Sequence, residues 1–238
     1  MEEAIRSGLA ELGLLDRVPR EAPEQLAEYG RLLLEKNQVM NLTAITDPDQ
    51  VVKLHMLDCA ALLTCADFTG RHIIDVGTGA GFPGMVLRIL VPSARVVLLD
   101  SLNKRLHWLS EVATHLGLTG VETLHARAEE PSLQPPWRDG FDFATARAVA
   151  SLEVLGELCL PYVKVGGRFL AMKAVDCEEE LSRAAGGLRR LGGILRPSVD
   201  YTIPGSQVVH RVVVVEKSTP TPKGYPRRWA KIQKSPLH

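Results

Sequence analysis

The stretch Ile73-Ile74-Asp75-Val76-Gly77-Thr78-Gly79-Ala80-Gly81-Phe82-Pro83-Gly84 constrains the fold of this chain more than any other. An aliphatic run of strand length gives way to four glycines in eight residues, and then to a helical pattern. Glycines at a strand-to-helix turn allow positive φ and let a ligand come close to the backbone. In an open α/β sheet that turn lies at the carboxyl end of a strand, where ligands bind. The pattern continues on the C-terminal side. His72–Val76 is followed by a helical stretch at 83–91, Arg95–Asp100 by one at 103–116, and then comes Val121–Ala126. Phe141–Thr145 is followed by 151–162, and Gly167–Lys173 by 176–191. The last two runs, near 194–203 and 208–215, are joined through Pro204-Gly205, which reads as a hairpin. The expected architecture is a seven-stranded, mostly parallel α/β sheet covered on both faces, with one antiparallel strand at its end. Residues 1–66 read as helices, with Leu26, Tyr29, Leu32 and Leu33 at roughly helical spacing and Pro48 suited to the first turn of a further helix. The predicted organisation is a helical extension (1–66), an α/β domain (67–216) and a basic tail (217–238).

Asp100 ends the second predicted strand, 23 residues after Gly77. A carboxylate there can accept hydrogen bonds from the ribose hydroxyls of an adenosine. Two cofactor readings compete. Gly79-x-Gly81-x-x-Gly84 satisfies the dinucleotide fingerprint, which implies NAD or FAD. Against it, Asp75 at the mouth of the site repels a pyrophosphate but suits the ammonium of a methionine moiety. Pro83 also removes one of the helix N-terminal N–H groups that would cradle phosphate. These residues favour S-adenosylmethionine. A glycine turn without a ligand does not account for Asp100.

Asp75 to Gly84, Leu99-Asp100-Ser101-Leu102-x-Lys104-Arg105 and Asn41-Leu42-Thr43-Ala44-Ile45 together resemble the RsmG (GidB) family of bacterial 16S ribosomal RNA guanine-N7 methyltransferases. The resemblance extends through His55-x-Leu57-Asp58, Arg127-Ala128-Glu129-Glu130, Ala146-Arg147-Ala148-Val149-Ala150 and Met172-Lys173 to Tyr225-Pro226-Arg227. It implies a Rossmann-like class I methyltransferase that uses S-adenosyl-L-methionine and releases S-adenosyl-L-homocysteine. Its partner would be 16S ribosomal RNA or the small ribosomal subunit. Carried over by position, the cofactor contacts fall on Gly77, Phe82, Ala128, Glu129 and Arg147, with Asp100, Ser101 and Leu102 against the adenosine. Thr78 and Gly79, within the same loop, join that set. The chain departs from the family pattern at Cys59, Ala174, Ala230, Ile232 and Gln233.

Guanine N7 carries a lone pair and no proton, so methyl transfer to it needs no general base. No certain catalytic residue is therefore expected; Arg147, at the end of the fourth predicted strand, is the candidate. It could bind the cofactor, the base or a phosphate. N7 lies in the major groove, which in A-form RNA is too deep and narrow to enter, so the target must be looped out or extruded. Phe82 is a candidate for stacking or for packing at the helix start. Substrate-binding candidates are Asn41, His55, Lys173, Tyr225 and Arg227. Three of them have a plainer alternative: a helix cap for Asn41, a structural pair with Asp58 for His55, a surface lysine for Lys173. His107, Glu111 and His115 share a helix face that reads as solvated, and no metal site is expected.

The cysteines (Cys59, Cys65, Cys159, Cys177) have no metal or disulfide spacing, the N-terminus does not read as a signal peptide, and no apolar run spans a membrane, so a cytoplasmic location is expected. Overall charge, 28 basic against 28 acidic residues, argues at first against a nucleic-acid partner. Resolved along the chain it does not. Residues 217–238 hold six basic residues (Lys217, Lys223, Arg227, Arg228, Lys231, Lys234) and no acidic one, leaving the preceding 216 at minus six. Rival readings are a methyltransferase for another RNA, a protein or a small molecule, an NAD-dependent oxidoreductase, and a non-catalytic RNA-binding assembly factor.

Overall fold

A computed structural model describes residues 1–147 and 150–238, so Ala148 and Val149 of the Ala146–Ala150 motif lie outside the described residues. The sheet is built from β1 (His72–Val76), β2 (Arg95–Asp100), β3 (Val121–His125), β4 (Phe141–Arg147), β5 (Val163–Ala174), β6 (Gly193–Leu195), β7 (Val199–Thr202) and β8 (Val209–Lys217). Its order is β3-β2-β1-β4-β5-β8-β6, with β7 also paired to β8. The first five strands run parallel, and β8 is antiparallel to β5, β6 and β7.

The sheet thus has eight strands, not the expected seven. The run read as one strand near 194–203 is broken at Pro197, which cannot donate to a ladder and is confined to edges and bulges. Leu195 pairs with Val215 before the break. Val199 pairs with Val212 after it, one residue out of step. The edge strand therefore carries one extra residue, a β-bulge.

Alternation along the strands divides the core. Ile73, Val96, Leu98, Leu170, Val212 and Val214 face one side. Ile74, Val97, Leu99, Phe169, Ala171 and Val213 face the other. The first face is covered by α1 (Glu2–Glu11), α2 (Ala22–Met40), the helical run 48–64, α5 (Gly84–Leu90) and α6 (Asn103–His115). The run 48–64 comprises α3 (Pro48–Val51), a π-helical turn (Val52–Leu57), α4 (Asp58–Ala60) and a 3-10 turn (Ala61–Thr64). The second face is covered by α7 (Leu152–Cys159), α8 (Glu178–Arg190) and α9 (Trp229–Lys234).

Two ends of the chain contribute directly to this core. Ile5, Leu9, Leu26, Tyr29 and Leu33 are fully buried in the same cluster as Met85 and Leu98. From the other end, Ile232 and Leu237 are buried against the α7–α8 layer. Lys217, counted among the tail's cations, is fully buried, and its ammonium donates to the carbonyls of Leu160 (2.5 Å) and Val163 (3.1 Å) and to Thr221 Oγ1 (2.7 Å). Among the described residues, no helix is long and apolar enough to cross a membrane.

Candidate functional site

The glycine loop after β1 bends through positive φ at Gly77 (72°), Gly79 (58°) and Gly81 (95°), which explains why those positions are glycine. Gly77 N and Thr78 N both donate to Leu99 O, at 2.9 and 3.0 Å, tying the loop to the end of β2. Tyr29 of α2 donates its hydroxyl to Ala80 O, so the N-terminal helices brace the loop from behind. Gly81 has no room for a side chain: a Cβ there would lie 2.4 Å from Tyr29 Oη and 2.7 Å from Leu109.

Asp75 does not face the ligand side, contrary to the expectation that it would meet an ammonium. Its carboxyl is fully buried beneath the loop, where it accepts from Thr78 Oγ1 (2.6 Å), Gly84 N (2.9 Å) and Thr145 Oγ1 (3.1 Å). It fastens strand, loop and helix start together. Burial pushes its carboxyl up to about 6, partly offset by these three donors. Asp100 does border the open side. Its oxygens accept from Gly79 N (2.9 Å) and Leu102 N (2.8 Å), fixing the carboxylate at the rim of a cleft.

That cleft has a volume of about 590 Å³. Gly77, Thr78, Gly79, Phe82, Asp100, Ser101, Leu102, Ala128, Glu129 and Arg147 all border it. They come from the carboxyl ends of four successive parallel strands, the place where the topology opens a crevice.

The far wall comes from the helical extension. His55, in the π-helical turn, stacks on Phe82 with ring centroids 4.6 Å apart. Arg147 lies over the same Phe82 ring at 5.0 Å. Phe82 is only 5% exposed, so it serves as a packed wall and not as a free stacking platform. Arg147 donates to Leu54 O (2.8 Å), to Asp58 Oδ2 (3.1 Å) and, through its other terminal nitrogen, to His55 Nδ1 (2.9 Å). His55 Nδ1 also lies 3.1 Å from Leu54 O, and Nε2 is hydrogen-bonded to Thr43 Oγ1 at 2.8 Å, so both ring nitrogens are engaged. Burial, reinforced by the Arg147 charge, pushes His55 down to about 4. His55 and Asp58 are thus not a direct pair; each is held by Arg147.

The other substrate candidates stand elsewhere. Asn41 takes the left-handed conformation that ends α2 (φ 42°), and its neighbours Leu42 and Thr43 reach the cleft instead. Lys173 donates to Glu180 (2.7 Å) and Ala150 O (2.8 Å). The Tyr225 ring lies under Arg190, 5.8 Å away. Arg227 forms a two-pronged pair with the fully buried Glu157, at 2.6 and 2.9 Å. It is Trp229, from the same tail, that lines the cleft. His107 and His115 pair with Glu111 (3.3 Å) and Glu28 (2.9 Å) on the protein surface.

Residues that sequence reasoning missed converge on Asp58. Tyr201 Oη donates to its Oδ1 at 2.7 Å, and His210 Nδ1 approaches the same oxygen at 2.8 Å. Burial raises the Asp58 carboxyl, but the His210 hydrogen bond, Arg147 and Tyr201 outweigh it and leave it below the usual range. The reciprocal bond raises His210. Residues separated by 143 and 152 positions leave no local signal to read.

The cleft suits S-adenosylmethionine: its size is within the range of ligand sites (~300–1,000 Å³), and it offers a fixed carboxylate beside apolar Leu102. At Gly79 the space is open on the ligand side, a Cβ meeting only Gly77 O at 3.9 Å. Fold and site together define a class I methyltransferase dependent on S-adenosylmethionine. The known M. jannaschii TYW2 in complex with AdoMet shares the fold, with a TM-score of 0.54 at 15% identity over 67% of this chain and 74% of that one. The chain belongs to the GidB family, described as rRNA small subunit methyltransferase G, whose profile matches residues 22–191. It is 44% identical over 210 residues to the ribosomal RNA small subunit methyltransferase G of Clostridium perfringens, covering 88% of each chain. The enzyme of that name from Exiguobacterium sibiricum is 44% identical over 237 residues, covering 99% of each.

Proposed function

We propose that this methyltransferase modifies N7 of a guanine in 16S ribosomal RNA by direct in-line transfer, acting in the cytoplasm on the RNA or on the small ribosomal subunit. The catalytic unit in this reading is 67–216, with 1–66 supplying the wall opposite the glycine loop. The observation that carries the reading is the state of His55. Both ring nitrogens are engaged and the ring is neutral, so this wall has a donor network but no basic lone pair free to take a proton. Such a wall suits an acceptor atom that has no proton to lose.

When bound, S-adenosylmethionine supplies a methyl group activated by its sulfonium. Gly77, Thr78, Gly79, Phe82, Ser101, Leu102, Ala128 and Glu129 would hold it, with Asp100 on the ribose. The protein's contribution is then positioning, with acceptor and methyl aligned at about 3–3.5 Å. Arg147 keeps N–H donors beyond those used in its three contacts, and in the cleft these suit the O6 acceptor next to N7. Adenine presents an N6 donor at that place and would be rejected. The positive charge of Arg147 also disfavours binding of a base that is already cationic, helping the methylated product to leave.

The test is mass spectrometry of small-subunit ribosomal RNA from a strain lacking the gene. One 7-methylguanosine should disappear, and purified protein with S-adenosylmethionine should restore it. Unchanged guanine N7 methylation in that strain would sink the proposal.

A further inference from the structure

The edge hairpin β7–β8 lies two strands beyond β4 and takes no part in the glycine loop, yet it reaches the cleft through one carboxylate. We propose that Tyr201 and His210 are positioning residues for methyl transfer: they clamp Asp58 Oδ1 so that Oδ2 holds the Arg147 guanidinium aimed at the target base. This inference rests on the methyltransferase reading above.

Asp58 is 1% exposed, and its two oxygens are divided between two tasks. One takes the hydroxyl of Tyr201 and the ring of His210; the other takes Arg147. A carboxylate held from one side only could rotate about its χ2 torsion, and the guanidinium would follow it. Held at both oxygens, it is a rigid bracket. The same guanidinium spans Leu54 O, Asp58 and His55 Nδ1, so a displaced bracket would also disturb the Phe82–His55 stack. Tyr201 and His210 support one another edge to face, with ring centroids 6.3 Å apart.

The bulge at Pro197 makes this geometry. Before it, Leu195 shares a face with Val215 and packs on the α7–α8 side of the sheet. In unbroken register, Tyr201 would lie opposite Val209 and point to that same side. The extra residue moves it opposite His210, on the face of Val212 and Val214, where the extension lies. A one-residue shift reverses which face every later side chain takes. Bulges re-aim side chains in this way beside active sites. Together the bulge and the inward Tyr201 bring a phenol to Asp58.

The experiment compares Tyr201→Phe, His210→Asn and His210→Leu with the wild type in full-length protein. It reads turnover and KM on small-subunit ribosomal RNA, and S-adenosylmethionine affinity by calorimetry. Loss of one hydrogen bond to a charged group should lower kcat about tenfold in Tyr201→Phe and His210→Leu, with cofactor Kd within about twofold. His210→Asn places an amide donor near the position of Nδ1 and should recover most of the turnover. A cycle with Arg147→Lys should be non-additive, because the tyrosine acts only through the arginine. Turnover within about twofold of wild type in both Tyr201→Phe and His210→Leu overturns the proposal. So does a parallel loss of cofactor affinity, or no recovery by asparagine with additive effects in the cycle. If the wild type itself transfers no methyl group to this RNA, the functional reading fails first, and calorimetry still reports whether the cofactor site is intact.

Discussion

The two walls of the cleft are built on opposite plans. The glycine-loop wall is built mainly from residues near one another in sequence: Asp75 takes Thr78 and Gly84 within ten residues, Asp100 takes Gly79 and Leu102, and Thr145 and Tyr29 brace the loop from further off. The wall around Arg147 is assembled from a π-helical turn near the N-terminus, the end of β4 and an edge hairpin near the C-terminus. The first can be held by backbone geometry and glycine. The second depends on side chains whose partners are far away in sequence, so its precision rests on the whole fold being formed. In the function proposed above, cofactor binding draws mainly on the first and recognition of the base on the second.

Substitutions can break that contrast, and the largest effect is expected in the local wall. Gly81→Ala combines positive φ with a Cβ 2.4 Å from Tyr29 Oη, so strain and overpacking together should cost about 4 kcal/mol in chemical denaturation. A loss below ~1 kcal/mol would show that α2 can move away from the loop. Next comes Arg227→Ala, which strands the buried Glu157 and should cost about 3 kcal/mol of stability. In this variant cofactor affinity should hold at temperatures where the protein stays folded; a selective loss of RNA binding would restore Arg227 to the substrate site. Asp100→Ala should weaken S-adenosylmethionine binding by about thirtyfold, roughly the worth of a charged hydrogen bond, and affect the tail far less.

The histidines sharpen the contrast within the distant wall. His55 is pushed down to about 4, chiefly by burial and then by Arg147, whereas the Asp58 bond raises His210. Their linkage to stability therefore runs in opposite directions. The contribution of His55 is present above its unfolded value of 6.5 and is lost as pH falls toward about 4. That of His210 is complete below 6.5 and is lost as pH rises through its raised folded value. Imidazole NMR titration should show two midpoints on opposite sides of 6.5; midpoints that coincide would contradict the Arg147–Asp58 arrangement. The smallest effect belongs to the exposed tail. Arg228→Ala should leave cofactor binding unchanged and reduce the salt slope of RNA binding by about one.

The same contrast explains what could be read from the sequence. The glycine loop, Asp100 and the parallel core were legible because aliphatic runs, glycine and an acid at fixed spacing are local signals. All ten residues assigned to the cofactor, eight by resemblance and two by their place in the loop, border a single cleft. Asp75 misled because sequence shows its charge and not its burial: it fastens the loop instead of facing the ligand. The tail misled for the same reason, since Lys217 and Arg227 are spent on buried partners while Lys223, Arg228, Lys231 and Lys234 remain exposed. Tyr201 and His210 could not be found at all, because one extra residue at Pro197 decides which way the tyrosine points.

The small residues of α8 have a consequence for the cleft on the other side of the tail. Leu237 and His238 lie directly against Gly187 and Gly186 of α8, leaving no room there for a larger side chain. Leu237 is buried at that seat, and Trp229, eight residues earlier, lines the cleft. The segment that carries the tryptophan to the cleft is thus moored on two bare backbone positions of α8, and the rim it forms is only as fixed as that mooring.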